Sequence, residues 1–145
     1  MAGFVALATA FATGTAVLIA ALAKERRLPG RWSATDLLAT GVATHRLARI
    51  ATRDRVAMPF RAPFAEYQGP AGAGEVNERP RGHGLRRAIG LLVTCPFCMS
   101  PWIATAFLGA KAARPRAVRF VEGVLVSVTV ADFVQQLYAA ARKLA

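Results

Sequence analysis

The sequence predicts an all-α integral membrane protein of one domain, residues 1–145, with about three spanning helices and one amphipathic interfacial helix. Hydrophobic residues make up 54% of the chain, and the formal net charge is +11. The basic residues cluster in loops between long apolar runs, which is the pattern of a membrane protein. A nucleic-acid-binding protein can be equally basic, but its charges usually lie on a polar, soluble fold. We therefore expect the lipid bilayer, and no nucleic acid, as a partner.

The first apolar run, from Ala2 to Ala23, contains no charged residue and is long enough to cross a bilayer. A cleaved signal peptide is the alternative, because Ala21-Leu22-Ala23 resembles a cleavage site. The run lacks a basic segment before it and exceeds the usual length of a signal peptide's apolar region. We therefore expect an uncleaved membrane anchor. Basic residues follow the run, which predicts that the N-terminus lies outside the cell and the next loop inside.

An amphipathic helix is predicted over residues 35–52, with Ser33 or Thr35 as its N-cap and Asp36 in its first turn. Its charge-free part is too short to span a bilayer. We expect this helix to lie at the membrane surface or across the mouth of the bundle.

The polar middle of the chain ends in a segment rich in glycine, proline and charge, residues 66–84. This composition predicts a flexible loop. A third helix is expected over residues 85–112, but Pro96 and Pro101 disfavour a straight one. We expect a kink, or two helices that meet at Cys95-Pro96, and this segment either crosses the membrane or turns back within it.

A fourth helix is predicted over residues 117–142, with Asp132 near its middle. Polar residues at spacings of seven, three and four lie on one of its faces: Glu122, Thr129, Asp132 and Gln136. A carboxylate at that depth should face protein and have a partner. We expect Asp132 to pair with Arg46 or Arg49, and a proton-carrying carboxylate is the alternative.

The basic residues predict a multi-pass topology in the bacterial cell membrane with a cytoplasmic C-terminus. The bacterial assignment follows from the high alanine and arginine content, which is typical of a GC-rich genome. With three crossing helices, most basic residues fall on the cytoplasmic side and only the turn at residues 111–119 lies outside. If all four helices crossed, the basic residues would divide almost equally between the two sides.

The chain resembles a bacterial family of small membrane proteins, domain of unknown function 1360. The resemblance lies in Thr44-His45-Arg46-Leu47-Ala48-Arg49, Asp54, residues 59–64, and Thr94-Cys95-Pro96-Phe97-Cys98 with Trp102. It covers about residues 36–132. Members often have tryptophan where this chain has Phe97. The resemblance implies a membrane setting and no known activity.

Cys95 and Cys98 are the only cysteines, and they allow three interpretations. The first is structural packing at a kinked helix. The second is a thiol–disulfide redox pair, since the Cys-x-x-Cys spacing tolerates a disulfide, although the surrounding βαβ pattern is missing. The third is a metal site, with zinc as the candidate and His45 and His83 as the remaining soft ligands. We favour the structural interpretation and expect no resident cofactor.

Arg46, Arg49 and Asp54 form a charged group that could bind an anionic headgroup or a partner protein specifically. The simpler interpretation is an interfacial helix whose arginines reach headgroups without specificity. We expect anionic headgroups at the basic loops, and a homo-oligomer or a membrane protein partner is also possible on this pattern. The leading function is a non-enzymatic accessory or interaction component of the membrane. The alternatives are a membrane thiol–disulfide oxidoreductase and a metal-binding membrane protein.

Overall fold

The computed structural model describes residues 1–144, which form a helical bundle with one small sheet at its end. Its helices are α1 (Ala2–Lys24), α2 (Ala34–Thr52), α3 (Met58–Arg61), α4 (Gly84–Val93), α5 (Pro96–Ala113) and α6 (Pro115–Leu144), with a 3-10 turn at Arg55–Ala57. Its strands are β1 (Ala65–Pro70) and β2 (Val76–Pro80). The fold is therefore mostly helical, as predicted, but it is not all-α.

The break predicted at the cysteine pair is confirmed. α4 ends at Val93, α5 begins at Pro96, and the two helices are bent by 80°. Cys95 is the N-cap of α5, and its sulfur accepts a hydrogen bond from the Cys98 amide at 3.3 Å. Proline is well suited to the first turn of a helix because the amide it lacks has no helical partner there. The same residue prevents α4 from continuing.

The expected flexible loop at residues 66–84 is largely an antiparallel hairpin, which corrects that prediction. β1 pairs with β2 from Ala65 opposite Pro80 to Pro70 opposite Val76, with a bulge between Tyr67 and Gly69. Gly69 has a φ of +140°, which favours glycine at the bulge. The two prolines that suggested a loop are the last residues of their strands, where a missing amide is tolerated.

Backbone hydrogen bonds attach this hairpin to the end of α2. The Val76 amide donates to the Arg53 carbonyl at 2.9 Å, and the Arg55 amide donates to the Gly74 carbonyl at 2.8 Å. Below the hairpin, Gly90 of α4 lies so close to Phe64 that an added Cβ would come within 2.5 Å of the Phe64 carbonyl oxygen. The hairpin and α4 therefore form one packed layer, the hairpin end of the bundle.

α1 and α5 run side by side in the same direction. Phe11 packs on Trp102 with ring centroids 5.1 Å apart, and Gly109 allows close approach of Leu18. At the end of both helices, Arg27 Nη1 donates to the Ala113 carbonyl at 2.8 Å. The loops at residues 25–33 and 111–119 thus meet at the end of the bundle opposite the hairpin, which we call the Lys111 end.

α2 and α6 run together from the Lys111 end to the hairpin end, antiparallel to α1 and α5. Thr40 contacts Glu122 at the first end, and Arg46 contacts Asp132 nearer the second. α2 packs against both α5 and α6 and buries Ala43 in the core. α2 therefore lies along α5 and α6 and not across the mouth of the bundle, whereas its expected position at the membrane surface stays a prediction. The buried face of α2 consists of small residues, which allow close packing against α5 and α6. The charged residues of α2 had suggested a helix outside the bundle.

The predicted sidedness also requires correction. The loop at residues 25–33 was expected inside the cell and the turn at residues 111–119 outside, but Arg27 and Ala113 are in contact. At the other end, Gly3 packs on α4, and Ala139 of α6 faces the hairpin turn. Both chain ends therefore belong to the hairpin end. If α1 and α6 both crossed a bilayer, this arrangement would put the N-terminus and the C-terminus on the same side of it.

Within residues 1–144, α1 is the single continuous helix that is long and apolar enough to cross a membrane. Of its most apolar stretch of 18 residues, 6% is buried by the rest of the protein. α4 and α5 meet the same criterion only as a bent pair. A prediction of three spanning helices therefore goes beyond what length and composition establish.

Candidate functional site

A polar cleft of about 720 Å³ opens at the hairpin end, between α2, the second half of α6 and the hairpin turn. Backbone contacts of β2 with the end of α2 hold the turn, residues 71–75, over the cleft. Its polar lining comes from all three elements: His45, Arg46, Arg49, Asp54, Glu75, Thr129, Asp132, Gln135 and Gln136. The volume lies within the usual range of ligand sites in proteins.

Arg46 is the centre of the charge network in this cleft. Its Nη1 lies 2.9 Å from Asp132 Oδ2, and its Nη2 lies 3.5 Å from Asp54 Oδ2. Arg49 forms a second ion pair with Glu75 of the hairpin turn. The structure thus brings together the four charged residues that the sequence analysis selected, including the pairing expected for Asp132. It adds Glu75, which no sequence pattern indicated because it lies 26 residues from Arg49.

Arg49 keeps unused hydrogen-bond donors on the wall of the cleft, because its side chain is 38% exposed and pairs with Glu75 through one terminal nitrogen. Arg46 Nε has no hydrogen-bond partner within residues 1–144, but it is buried away from the cleft surface. Two guanidinium groups face three carboxylates, so these five groups together carry one net negative charge. Burial raises the pKa of Asp54 above its ordinary value of 3.8, and the guanidinium of Arg46 partly opposes this shift. The cleft therefore presents both signs of charge together with an unused donor.

A second polar cluster lies inside the bundle at the Lys111 end, and sequence reasoning missed it. Lys111 Nζ lies 2.7 Å from Glu122 Oε2, and these side chains are 3% and 2% exposed. Thr40 donates to Glu122 Oε1 at 2.6 Å and accepts from Lys111 at 2.9 Å. Asp36 Oδ1 completes the group, 3.4 Å from Lys111 Nζ. Lys111 was expected in the basic turn at residues 111–119. It is instead a buried residue in the last turn of α5.

Cys95 and Cys98 lie apart from both polar clusters, at the bend between α4 and α5. Both are free thiols; Cys95 is half-buried and Cys98 is exposed. Because the Cys95 sulfur caps α5, it has a definite structural role. A helix N-terminus also favours negative charge on a group placed there. The geometry therefore accommodates the structural and the redox interpretations together.

His45 and His83 do not complete a metal site with the cysteines. His45 lies in the cleft on α2, and His83 is an exposed residue just before α4. Among residues 1–144, no three histidine, cysteine, aspartate or glutamate side chains come together as metal ligands. A zinc ion bound by these four residues of one chain is therefore not supported by the geometry.

The fold and its clusters define a class of small helical-bundle proteins whose charged side chains are paired in the interior and under a capping hairpin. The family described as "Protein of unknown function (DUF1360)" matches residues 37–138 of the chain, from the first turn of α2 almost to the end of α6. The protein belongs to this family, as its motifs indicated. No curated protein and no solved structure matches it significantly. The matched range includes the cleft, the buried Lys111 cluster and the cysteine pair.

Proposed function

We propose that the protein is a multi-pass, non-enzymatic accessory component of the bacterial cell membrane, in which α1, α2, α5 and α6 cross the bilayer. The distribution of residues around α6 supports this proposal. Glu122 is almost fully buried and Asp132 is paired with Arg46, while the outer surface of the helix is apolar. The exposed residues of that surface are Phe120, Val121, Val124, Val128, Val130, Phe133, Val134, Leu137 and Tyr138.

The length of this apolar surface fits a bilayer. From Phe120 to Tyr138 there are 18 helical steps, or about 27 Å, close to the thickness of a hydrocarbon core. In water, so large an exposed apolar surface would be a liability for aggregation. In lipid, carboxylates on the inner side and aromatic and β-branched residues on the outer side are the favourable arrangement. α1 supplies a second apolar helix and packs against α4 and α5 as part of the fold.

Labelling of single cysteines in intact cells tests this topology. In a chain with Cys95→Ser and Cys98→Ser, we would introduce Gly30→Cys, Ala73→Cys or Arg116→Cys and apply a membrane-impermeant maleimide. Positions 30 and 116 belong to the Lys111 end, so they should behave alike, and position 73 in the hairpin turn should behave oppositely. Labelling of all three from one side would mean that neither α2 nor α5 crosses. Opposite results at 30 and 116 would contradict the fold.

The cysteine pair favours a second candidate function, a membrane thiol–disulfide oxidoreductase. The supporting observation is the position of Cys95 as the cap of α5, with the Cys98 amide donating to its sulfur and the Cys98 thiol exposed to a reactant. In the reaction, the Cys95 thiolate would attack a disulfide of a partner protein. Cys98 would then displace the partner thiol, so that the partner is reduced and a Cys95–Cys98 disulfide forms.

The Cys98→Ser variant separates the two functions. If the redox function is correct, this variant should accumulate a mixed disulfide through Cys95, seen as a slower band on a non-reducing gel that disappears on reduction. The double variant with Cys95→Ser should give no such band. Without any adduct in Cys98→Ser, the accessory function stands alone and Cys95 serves as a helix cap.

A further inference from the structure

We propose that the cleft at the hairpin end binds the headgroup of a phosphatidylethanolamine molecule. This inference rests on the proposed membrane setting, because the lipid must reach the cleft from the surrounding leaflet. The occupant is a lipid whose headgroup joins a phosphate to a primary ammonium group. The two arginines of the cleft can bind the phosphate, and its three carboxylates can bind the ammonium group.

The charge distribution excludes simpler ligands. An anion alone would meet the guanidinium groups of Arg46 and Arg49 but would also face Asp54, Glu75 and Asp132. A cation alone would meet these carboxylates but would also face the guanidinium groups of Arg46 and Arg49. A ligand with both charges can pair with the guanidinium groups and with the carboxylates at the same time. The proposed ligand therefore differs from the anionic headgroups expected at the basic loops, because a phosphatidylethanolamine headgroup carries both charges.

The existing ion pairs leave room for these new hydrogen bonds. A guanidinium has five N–H donors, and Arg49, whose side chain is 38% exposed, uses one terminal nitrogen on Glu75, so its remaining donors are available to a phosphate. Each carboxylate has about four acceptor sites and accepts here from one arginine nitrogen. Asp132 is 42% exposed, so its unused oxygen is accessible from the cleft. Phosphate can therefore bind to the arginines and the ammonium group to the carboxylates without breaking a pair.

The position of the cleft favours a lipid over a soluble compound. Phe133 lines the cleft and also belongs to the exposed apolar surface of α6. Leu137 and Tyr138 continue this surface on the same helix. A headgroup in the cleft would thus place its acyl chains along a surface that is already apolar.

The ammonium group provides a strict specificity test. A primary ammonium donates three hydrogen bonds, whereas the quaternary ammonium of phosphatidylcholine donates none. We would titrate the purified full-length chain in detergent with phosphatidylethanolamine, phosphatidylcholine or phosphatidylglycerol of identical acyl chains, and count bound lipids by native mass spectrometry. Phosphatidylethanolamine should bind about tenfold more tightly than either of the others, the equivalent of one charge-assisted hydrogen bond. Equal binding of phosphatidylethanolamine and phosphatidylcholine would overturn the proposal.

Glu75→Gln is the variant that tests the site. It removes one ammonium acceptor and frees Arg49, so phosphatidylethanolamine should bind about tenfold more weakly and the preference should move towards phosphatidylglycerol. Glu66→Gln is the matched control, since it removes the same charge from an exposed pair with Arg79 on the same hairpin. The control should change binding by less than about twofold. An equal effect of both variants would overturn the assignment to the cleft.

Two further measurements separate the possible failures. Soluble phosphoethanolamine should compete only weakly; if it bound as tightly as the lipid, the ligand would be a soluble compound and the lipid proposal would be wrong. A chain that stays monodisperse in buffer without detergent would contradict the membrane setting itself. A chain that requires detergent but shows no lipid preference would contradict this inference alone.

Discussion

Replacing Glu122 with glutamine should lower the free energy of unfolding in detergent by about 3 kcal/mol. The change leaves the ammonium group of Lys111 buried beside a neutral amide, with Asp36 at 3.4 Å as its remaining carboxylate. Breaking one side of a buried ion pair typically costs about 3–5 kcal/mol. We expect the lower end of this range, because Lys111 loses its nearest counter-charge and is shielded from water but keeps the more distant Asp36. The effect should appear in equilibrium unfolding followed by circular dichroism.

Two control variants establish that the loss is electrostatic. Glu25→Gln removes the same charge from an exposed pair with Arg27 and should cost less than about 1 kcal/mol. The double variant Lys111→Met with Glu122→Leu removes both charges and should recover most of the stability, because apolar residues of similar volume can replace a buried pair. A double variant as unstable as Glu122→Gln would show that packing, and not charge, accounts for the loss.

The second large effect is expected for Arg61→Met, which should detach the hairpin. The Arg61 side chain is 2% exposed and pairs with Glu78 of β2, whose side chain is 3% exposed. Its Nη1 donates to the Ala51 carbonyl at 2.9 Å, and its Nη2 donates to the Asp54 carbonyl at 3.1 Å. The arginine therefore connects the end of α2 to the hairpin. Its loss removes the Arg61 donors from the Ala51 carbonyl and the Glu78 carboxylate, while the Asp54 carbonyl keeps its bond from the Ala57 amide; the expected cost is about 3–5 kcal/mol.

Hydrogen exchange distinguishes local detachment from general destabilisation. In Arg61→Met, the amides of residues 65–80 should lose about a hundredfold of protection, while α1 and α5 keep theirs. Arg61→Lys retains the charge but not the planar fork of donors, so it should give an intermediate loss. Arg79→Met, which breaks the exposed pair with Glu66, should change exchange very little. Uniform loss across every helix would contradict the proposed role of Arg61.

The hydrophobic patterns predicted most of the helical structure. The charge-free run of α1, the helix of residues 35–52 and the break at Cys95-Pro96 all follow from local signals, and the structure confirms them. The polar face of α6 could also be predicted, because Glu122 and Thr129 recur at helical spacing. Both residues are buried in the structure. Local periodicity succeeds in these places because helix formation depends on neighbours within a few residues.

The hairpin was missed because its stability is not local. Its strands contain glycine and proline, which usually indicate loops, and the segment would not be stable alone. It is held by backbone hydrogen bonds to Arg53 and Arg55 and by the buried pair of Arg61 with Glu78. These contacts depend on where α2 ends in space. No pattern within residues 66–84 reports that position.

The topology failed for a related reason. Counting basic residues in loops treats each loop as independent and gives Arg27 and Ala113 opposite sides. The hydrogen bond between them places both at the Lys111 end. The count also treated Lys111 as a solvated charge, although it is one of the most buried side chains of the bundle. Lys111 is paired with Glu122 and therefore does not act as a solvated loop charge. This pairing can be predicted only when it is known which helices are adjacent.

The sequence by itself determined that apolar helices dominate this protein, where they begin and end, that Asp132 needs a basic partner, and to which family the chain belongs. These properties follow from side-chain chemistry and from spacing along one helix. Only the tertiary structure decided that α2 packs along α5 and α6, that Lys111 pairs with Glu122, and that Glu75 joins Arg46 and Arg49 at a cleft of mixed charge. The reason is physical: an ion pair is set by distance in space, and its members here lie between 11 and 86 residues apart along the chain.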